Sequence, residues 1–270
     1  MLDKLSLITP QKITLEDATN NLKGRFSHHK ATGTKYHHSV ISFHNGLGKD
    51  GKHLLTLHLQ PRFSSIANTK IEVNPSNFQS FGELAALLSS IVDTSGLKLS
   101  RIDHAVDIEV TVAEIFSALI YSRKKSREVF RDSTLTGFYL GSPPEQLVVY
   151  NKARQLTVEG TKTRIELRHY GEKISSKSFI DLPDCQSMNP FNDLKFRRVT
   201  ADPYTSIRDR NRKNYISELI QTKGAQGMFK ILNKHSNFKR DWESDFEEHS
   251  DIPNLNQIYQ ENLKRYFKEE

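Results

Sequence analysis

Three short runs of this chain place charged and reactive side chains at alternate positions. Residues 101–109 read Arg-Ile-Asp-His-Ala-Val-Asp-Ile-Glu, residues 147–152 Leu-Val-Val-Tyr-Asn-Lys, and residues 163–169 Thr-Arg-Ile-Glu-Leu-Arg-His. Residues two apart on a strand share a face. The first run then sets Arg101, Asp103, Asp107 and Glu109 opposite Ile102, Val106 and Ile108. The second aligns Tyr150 with Lys152, and the third aligns Arg164, Glu166 and Arg168 over Ile165 and Leu167. As neighbours, these strands would gather carboxylates, a tyrosine and several cations on one sheet face.

That set of groups suits phosphodiester chemistry. Asp103, Asp107 and Glu166 are hard oxygen donors matched to Mg²⁺ or Mn²⁺, and such an ion can steady the charge of an in-line displacement. Tyr150 is the expected nucleophile, and a phenol with a pKa of about 10 needs a cation or base beside it. Lys152 is placed for that role, and Arg164 and Arg168 for clamping neighbouring phosphates. The same residues also admit a structural reading, as cross-strand Asp–Arg pairs and a strand-end tyrosine.

The surrounding sequence predicts the elements that hold these runs. Strands are expected at residues 2–8, 39–44, 53–60 and 70–74, the last ended by Pro75. A helix follows, with Phe81, Leu84, Leu87, Leu88 and Ile91 at helical spacing, ending near Gly96. After the Asp-rich strand, Thr111 and Glu114 form a capping-box pattern for a second helix reaching about Lys125. Residues 135–140 and 147–152 are expected to pair through the turn Gly141-Ser-Pro-Pro, with the Arg/Glu strand next. This order predicts an α+β fold with a predominantly antiparallel sheet over residues 1–182. Residues 183–190 read as a linker at a soft boundary, and residues 183–270 as a helical C-terminal region. Its helices are expected at 206–221, 226–234 and 256–268.

The 270 residues carry a formal net charge of +7, which favours a polyanionic partner, nucleic acid before a membrane. Cys185 is the only cysteine, which excludes an intramolecular disulfide and a cysteine-rich zinc site and fits a reducing cytoplasm. The first ten residues lack signal-peptide character, and no apolar run has the length to span a bilayer. Gly46-Leu-Gly-Lys-Asp-Gly-Lys52 lacks P-loop spacing, so it reads as a hairpin turn and no nucleotide hydrolysis is expected.

Arg-Ile-Asp followed by Asp107, then Tyr-x-Lys on a strand and Arg-x-Glu on the next, resembles the rolling-circle replication initiators of filamentous phages. The gene II product of filamentous coliphages is one such case, and related plasmid initiators and conjugative relaxases of the replication-initiation-factor group are similar. The resemblance runs from the Met-Leu-Asp-Lys-Leu start, through Ile71-Glu-Val-Asn-Pro75, to about Asp181. It implies a tyrosine that becomes linked to a 5′ phosphate and frees a 3′ hydroxyl, with a divalent metal and no ATP. By position it makes Tyr150 the nucleophile with Lys152 beside it, and Asp107 and Glu166 the leading metal ligands, joined by Asp103 and Glu72. It also implies DNA as partner, a bacterial cytoplasm as location and a host helicase as a possible associate. The turn at residues 141–145 and the C-terminal half depart from the pattern, which leaves the DNA-specificity elements and the oligomeric state open.

Rival assignments remain beside this one. None of His28, His29, His37, His38, His44, His53 and His58 forms a His–apolar–His pair, and His53 and His58 are expected on opposite strand faces. His104 reads as a core histidine. Tyr139, Tyr170, Tyr204 and Tyr215 compete with Tyr150, with Tyr215 second choice or simply a packing residue of its helix. Arg123, Lys124, Lys125, Arg127 and Arg131, expected to end the second helix, are DNA-contact candidates. So are Lys195, Arg197 and Arg198, with Arg208, Arg210, Arg212 and Lys213; either group reads equally as a solvated face. A basic DNA-binding protein without catalysis and a nuclease using water as nucleophile are the alternative functions.

Overall fold

The computed structural model describes residues 1–22, 27–45, 52–121, 126–174, 177–200, 207–232 and 246–268, with the side chains of 21, 27–32 and 207–209 excepted. Its centre is an antiparallel sheet of ten strands. In chain order these are β1 (Leu2–Thr9), β2 (Ser27–Thr32), β3 (His37–Asn45), β4 (Lys52–Pro61), β5 (Thr69–Val73) and β6 (Lys98–Ile108). After a two-residue strand outside this sheet, β7 (Leu119–Ile120), come β8 (Ser126–Arg131), β9 (Thr134–Ser142), β10 (Glu145–Asn151) and β11 (Thr163–Tyr170). In space they run β2-β3-β4-β5-β1-β6-β11-β10-β9-β8. The expected α+β fold is the observed one, and β6, β11 and β10 are consecutive neighbours.

Alternation gives the sheet one apolar and one polar face. Leu5, Leu7, Leu55, Leu57, Ile71, Val106, Ile165, Leu167, Leu147 and Val149 are buried in one continuous core. That core also takes in residues of the helices α1 (Leu15–Leu22), α2 (Phe81–Ser89) and α3 (Val112–Ala118). Ser80 caps α2 by accepting from the Glu83 amide, and Thr111 with Glu114 forms the expected capping box on α3. His104 lies on this face, fully buried, with Nδ1 2.5 Å from the Tyr259 hydroxyl.

Two boundaries differ from expectation. Helix α3 ends at Ala118 rather than near Lys125, because Leu119 and the β-branched Ile120 pair with Phe196 and Lys195. Arg127 and Arg131 are therefore strand residues of β8, while Arg123, Lys124 and Lys125 lie outside the described residues. Residues 183–190 are no free linker: the 3-10 helix Phe179–Ser187 buries Leu182 and Cys185 completely in the main core. The closing helix α6 (Leu255–Tyr266) joins the same core through Leu255, Tyr259 and Leu263.

Between them, α5 (Ile207–Leu232), broken at Gly224, packs a smaller cluster of Ile216, Ile220, Met228 and Leu232 with Phe246. Beside it, β7 forms a three-stranded sheet with β12 (Lys195–Val199) and β13 (Phe246–Glu248). Val199 of β12 packs against this smaller cluster, while Phe196 of the same strand packs against the main core. The C-terminal region also contains strands the periodicity did not announce. Residues 46–51, the expected hairpin turn, lie outside the described residues, and among the described ones no helix is long and apolar enough to cross a membrane.

Candidate active site

The strand register arranges the polar face in rows. One row reads Asp107–Arg164–Tyr150–Gly137 across β6, β11, β10 and β9. The next reads Ala105–Glu166–Val148–Tyr139–Arg127, and a third Lys4–Asp103–Arg168–Gln146–Gly141. Carboxylates and guanidiniums therefore alternate from row to row. The expected convergence of Asp103, Asp107, Tyr150, Arg164, Glu166 and Arg168 on one face is present.

Their partners fix the geometry. The Tyr150 hydroxyl donates to Glu166 Oε1 at 2.6 Å. Arg168 donates to Glu166 Oε2 through Nε and a terminal nitrogen at 3.0 and 2.6 Å, so Glu166 is gripped by a cation and a phenol together. Arg164 donates to both oxygens of Asp107 and also to Asp3. Arg101 donates to Asp103 at 2.7 Å, with Arg168 Nε 3.7 Å from the same carboxylate. Asp3 was missed in the sequence reading. The irregular pairing of β1 with β6 between Leu2 and Lys4 sets it apart from a simple strand alternation.

Burial shapes the electrostatics. The Glu166 and Asp103 side chains are each only 2% exposed despite lying on the open face, because the guanidiniums cover them. Burial, then the charge and hydrogen bond of Glu166, push the Tyr150 phenol well above its usual pKa. Burial raises the Asp103 carboxyl against the opposing pull of Arg101. For Arg164 burial works against the charged form, but the hydrogen bond to Asp107 and the nearby carboxylates overcome it and raise its pKa.

Several expected roles change. Lys152 does not share the strand face: β10 ends at Asn151, whose side chain caps the short helix α4 (Lys152–Leu156). Lys152 Nζ nonetheless lies 5.8 Å from the centre of the Tyr150 ring and donates to Gln155. Burial, then Arg164, lower its pKa. Arg164 and Arg168 are engaged by carboxylates rather than presented bare to phosphates. Lys213 is buried and donates to Thr200, which removes it from the DNA-contact candidates. Arg210 is exposed and Arg212 half-buried, while the side chain of Arg208 is outside the described residues. Tyr215 does not pack its helix: it is 51% exposed on α5, which contacts α3, β7 and β12. Tyr204 lies outside the described residues.

The four acidic groups do not form a cation cage. Glu72 lies in the row of Ser6 and Arg101, so three strand spacings, about 14 Å, separate it from the strand of Glu166. It is held instead by Lys4 and Lys70 at 2.9 and 2.6 Å. Asp107, Glu166 and Asp103 are each neutralised by arginine, and among the described residues no three acidic, histidine or cysteine side chains are grouped to hold an ion. As arranged, this donor set does not fit Mg²⁺ or Mn²⁺.

The histidines gather on the other half of the same face. Between Phe43 and His44 the pairing of β3 with β4 slips, so His44 opposes His53 while Phe43 opposes Leu55. The bulge buries both Leu54 and Leu55 and returns His53 to the polar face, with Nε2 2.8 Å from the Thr56 hydroxyl. His53 and His58 therefore share a face, contrary to simple alternation. His58 Nε2 is 4.0 Å from Glu72, and the His44 and His53 rings are 5.3 Å apart. His28 and His29 have undescribed side chains.

A cleft of about 540 Å³ opens beside Tyr150, lined among others by Tyr139, Gly137, Arg131, Arg154 and Arg168. Arg127 sits 4.7 Å from the centre of the Tyr139 ring.

The sequence matches no family model and no curated protein. The solved structure of a rolling circle replication initiator protein from Geobacillus stearothermophilus is similar, with a TM-score of 0.50 and 15% identity. The alignment covers 84% of this chain and 98% of that one, so nearly the whole of that fold is reproduced here.

Proposed function

We propose that this chain nicks one strand of DNA through Tyr150, with Glu166 as the base that receives the phenolic proton. The observation that supports it is the 2.6 Å hydrogen bond from Tyr150 to Glu166, with Glu166 oriented by Arg168. A nucleophile on its base, and the base on an orienting third group, is the arrangement covalent catalysis requires. The raised phenol pKa makes a free phenolate rare at neutral pH, so the proton must leave as the bond to phosphorus forms. A base already in contact provides that path.

In the proposed step the Tyr150 oxygen attacks a backbone phosphorus and its proton passes to Glu166. The bond from phosphorus to the 3′ oxygen breaks, leaving a 5′-phosphotyrosyl link. Lys152, with its lowered pKa, supplies the proton that completes the 3′ hydroxyl. Arg168, which both orients Glu166 and lines the cleft beside Tyr150, adds positive charge near the phosphorane, while Arg164 stays held by Asp107 and Asp3. The freed 3′ hydroxyl could prime synthesis. A role in initiating rolling-circle replication draws support from the shared fold and from the ordered motifs of β6, β10 and β11.

The second reading, a DNA-binding module without catalysis, draws on the completeness of the ion pairing. The test is incubation with supercoiled DNA carrying the origin of the genetic element that encodes the chain, followed by denaturing electrophoresis. Wild type should yield a nick and a covalent adduct, and Tyr150→Phe should lose both while retaining DNA affinity. Footprinted binding by wild type with neither nick nor adduct would favour the binding module.

A further inference from the structure

The sequence Gly137-Phe-Tyr-Leu-Gly141 on β9 flanks Tyr139 with a glycine two residues away on either side. Phe138 and Leu140 point into the core and are nearly fully buried, so Gly137, Tyr139 and Gly141 occupy the open face. On its own strand Tyr139 therefore has no side chain two residues away in either direction. Across the register it meets Val148 on one side and Arg127 on the other. The floor at Gly137 is closely fitted: a methyl group added there would come within 2.8 Å of the Val149 carbonyl and 3.2 Å of the Tyr150 Cβ.

The cleft of about 540 Å³ has Gly137, Tyr139 and Tyr150 together in its lining. Tyr150 opposes Gly137, one row from Tyr139, and two residues of strand advance about 6.8 Å. The Arg127 guanidinium against the Tyr139 ring adds a cationic plane of the type on which bases stack. Arg131, Arg154 and Arg168 line the same cleft, at positions where a backbone could follow.

We infer that the cleft is a base-binding slot for single-stranded DNA: an unpaired base stacks on Tyr139, and its phosphate is thereby delivered to Tyr150. The inference rests on the nicking reading for the second clause only. Stacking recognises the π face of any base, so the slot reads strandedness rather than sequence. A duplex, whose bases are already stacked, cannot fill it without being opened.

The test measures fluorescence anisotropy of the full chain with a labelled twelve-nucleotide oligothymidine and with an abasic deoxyribose-phosphate strand of the same length. Wild type should prefer the base-bearing strand by about 5- to 150-fold, the range of one stacked base. Tyr139→Ala should abolish that preference and Tyr139→Phe should keep it. Equal affinity of wild type for both strands, or a preference untouched by Tyr139→Ala, would overturn the slot. So would a loss in Tyr139→Phe equal to that in Tyr139→Ala, since the hydroxyl rather than the ring would then be the contact. This binding measurement needs no cleavage. Base preference without any adduct would retain the slot and sink the nicking chemistry, whereas nicking that persists without base preference would do the reverse.

Discussion

On the β6–β11–β10 half of the open face every site carboxylate meets a guanidinium, whereas on the β4–β5–β1 half Glu72 is held by two lysines and bordered by imidazoles. Arg164 is 7% exposed, while Lys4 and Lys70 are 29% and 33% exposed. Arginine's planar fork holds a carboxylate in one orientation, and lysine's ammonium does so only as a point charge. The first half is therefore preorganised, with Glu166 set against Tyr150. The second remains adjustable and takes its pH response from histidine. The same strand alternation builds both halves, and the choice of cation separates them.

The sharpest break in this comparison is Glu166→Gln. It keeps the side-chain shape and removes the base, so nicking should fall about 10²- to 10⁴-fold in single-turnover assays with DNA affinity unchanged. Arg164→Ala leaves Asp107 and Asp3 without their shared buried cation and should cost about 3 kcal/mol in urea unfolding.

The histidine half should reveal itself through acid. Burial lowers His58 to about 4, so the folded state resists protonation that the unfolded chain accepts. Its contribution to stability is complete above the unfolded value near 6.5 and is lost as pH falls from there through 4. Between pH 7 and pH 5 the wild type should lose about 1–2 kcal/mol more than His58→Gln. Burial alone would raise Glu72, but hydrogen bonds from Lys4 and Lys70 outweigh it and hold the carboxyl at about 2. Its contribution stays intact above about pH 4.5 and fades only as pH drops toward 2. The smallest effect belongs to Lys70→Ala, under about 1 kcal/mol, because that ammonium is already hydrated. Equal costs for Lys70→Ala and Arg164→Ala would erase the distinction between the halves.

The arginine-paired half was legible because its strands alternate without interruption, so Asp103, Asp107, Tyr150, Arg164, Glu166 and Arg168 could be assigned one face from spacing alone. Their pairing was not, since alternation fixes a face and leaves the register to long-range contacts. That register puts Glu166 on Tyr150 rather than in a cage with Asp107, and puts Glu72 several strands away. His53 escaped because a bulge inserts one residue and inverts the parity of everything beyond it. Lys152 escaped because the Asn151 cap ends the strand one residue earlier than a Tyr-x-Lys pattern suggests. The base slot had a signal in the sequence, a tyrosine with glycines two residues to either side, whose meaning required knowing that Tyr150 lies opposite Gly137.

The most direct measurement is peptide mapping by mass spectrometry of the covalent adduct formed with an origin-derived single strand. The account predicts a nucleotide phosphate on the peptide containing Tyr150, its yield falling with Glu166→Gln. An adduct on the peptide containing Tyr139 or Tyr215, or one formed undiminished by Glu166→Gln, would contradict the pairing of Tyr150 with Glu166 on which the account depends.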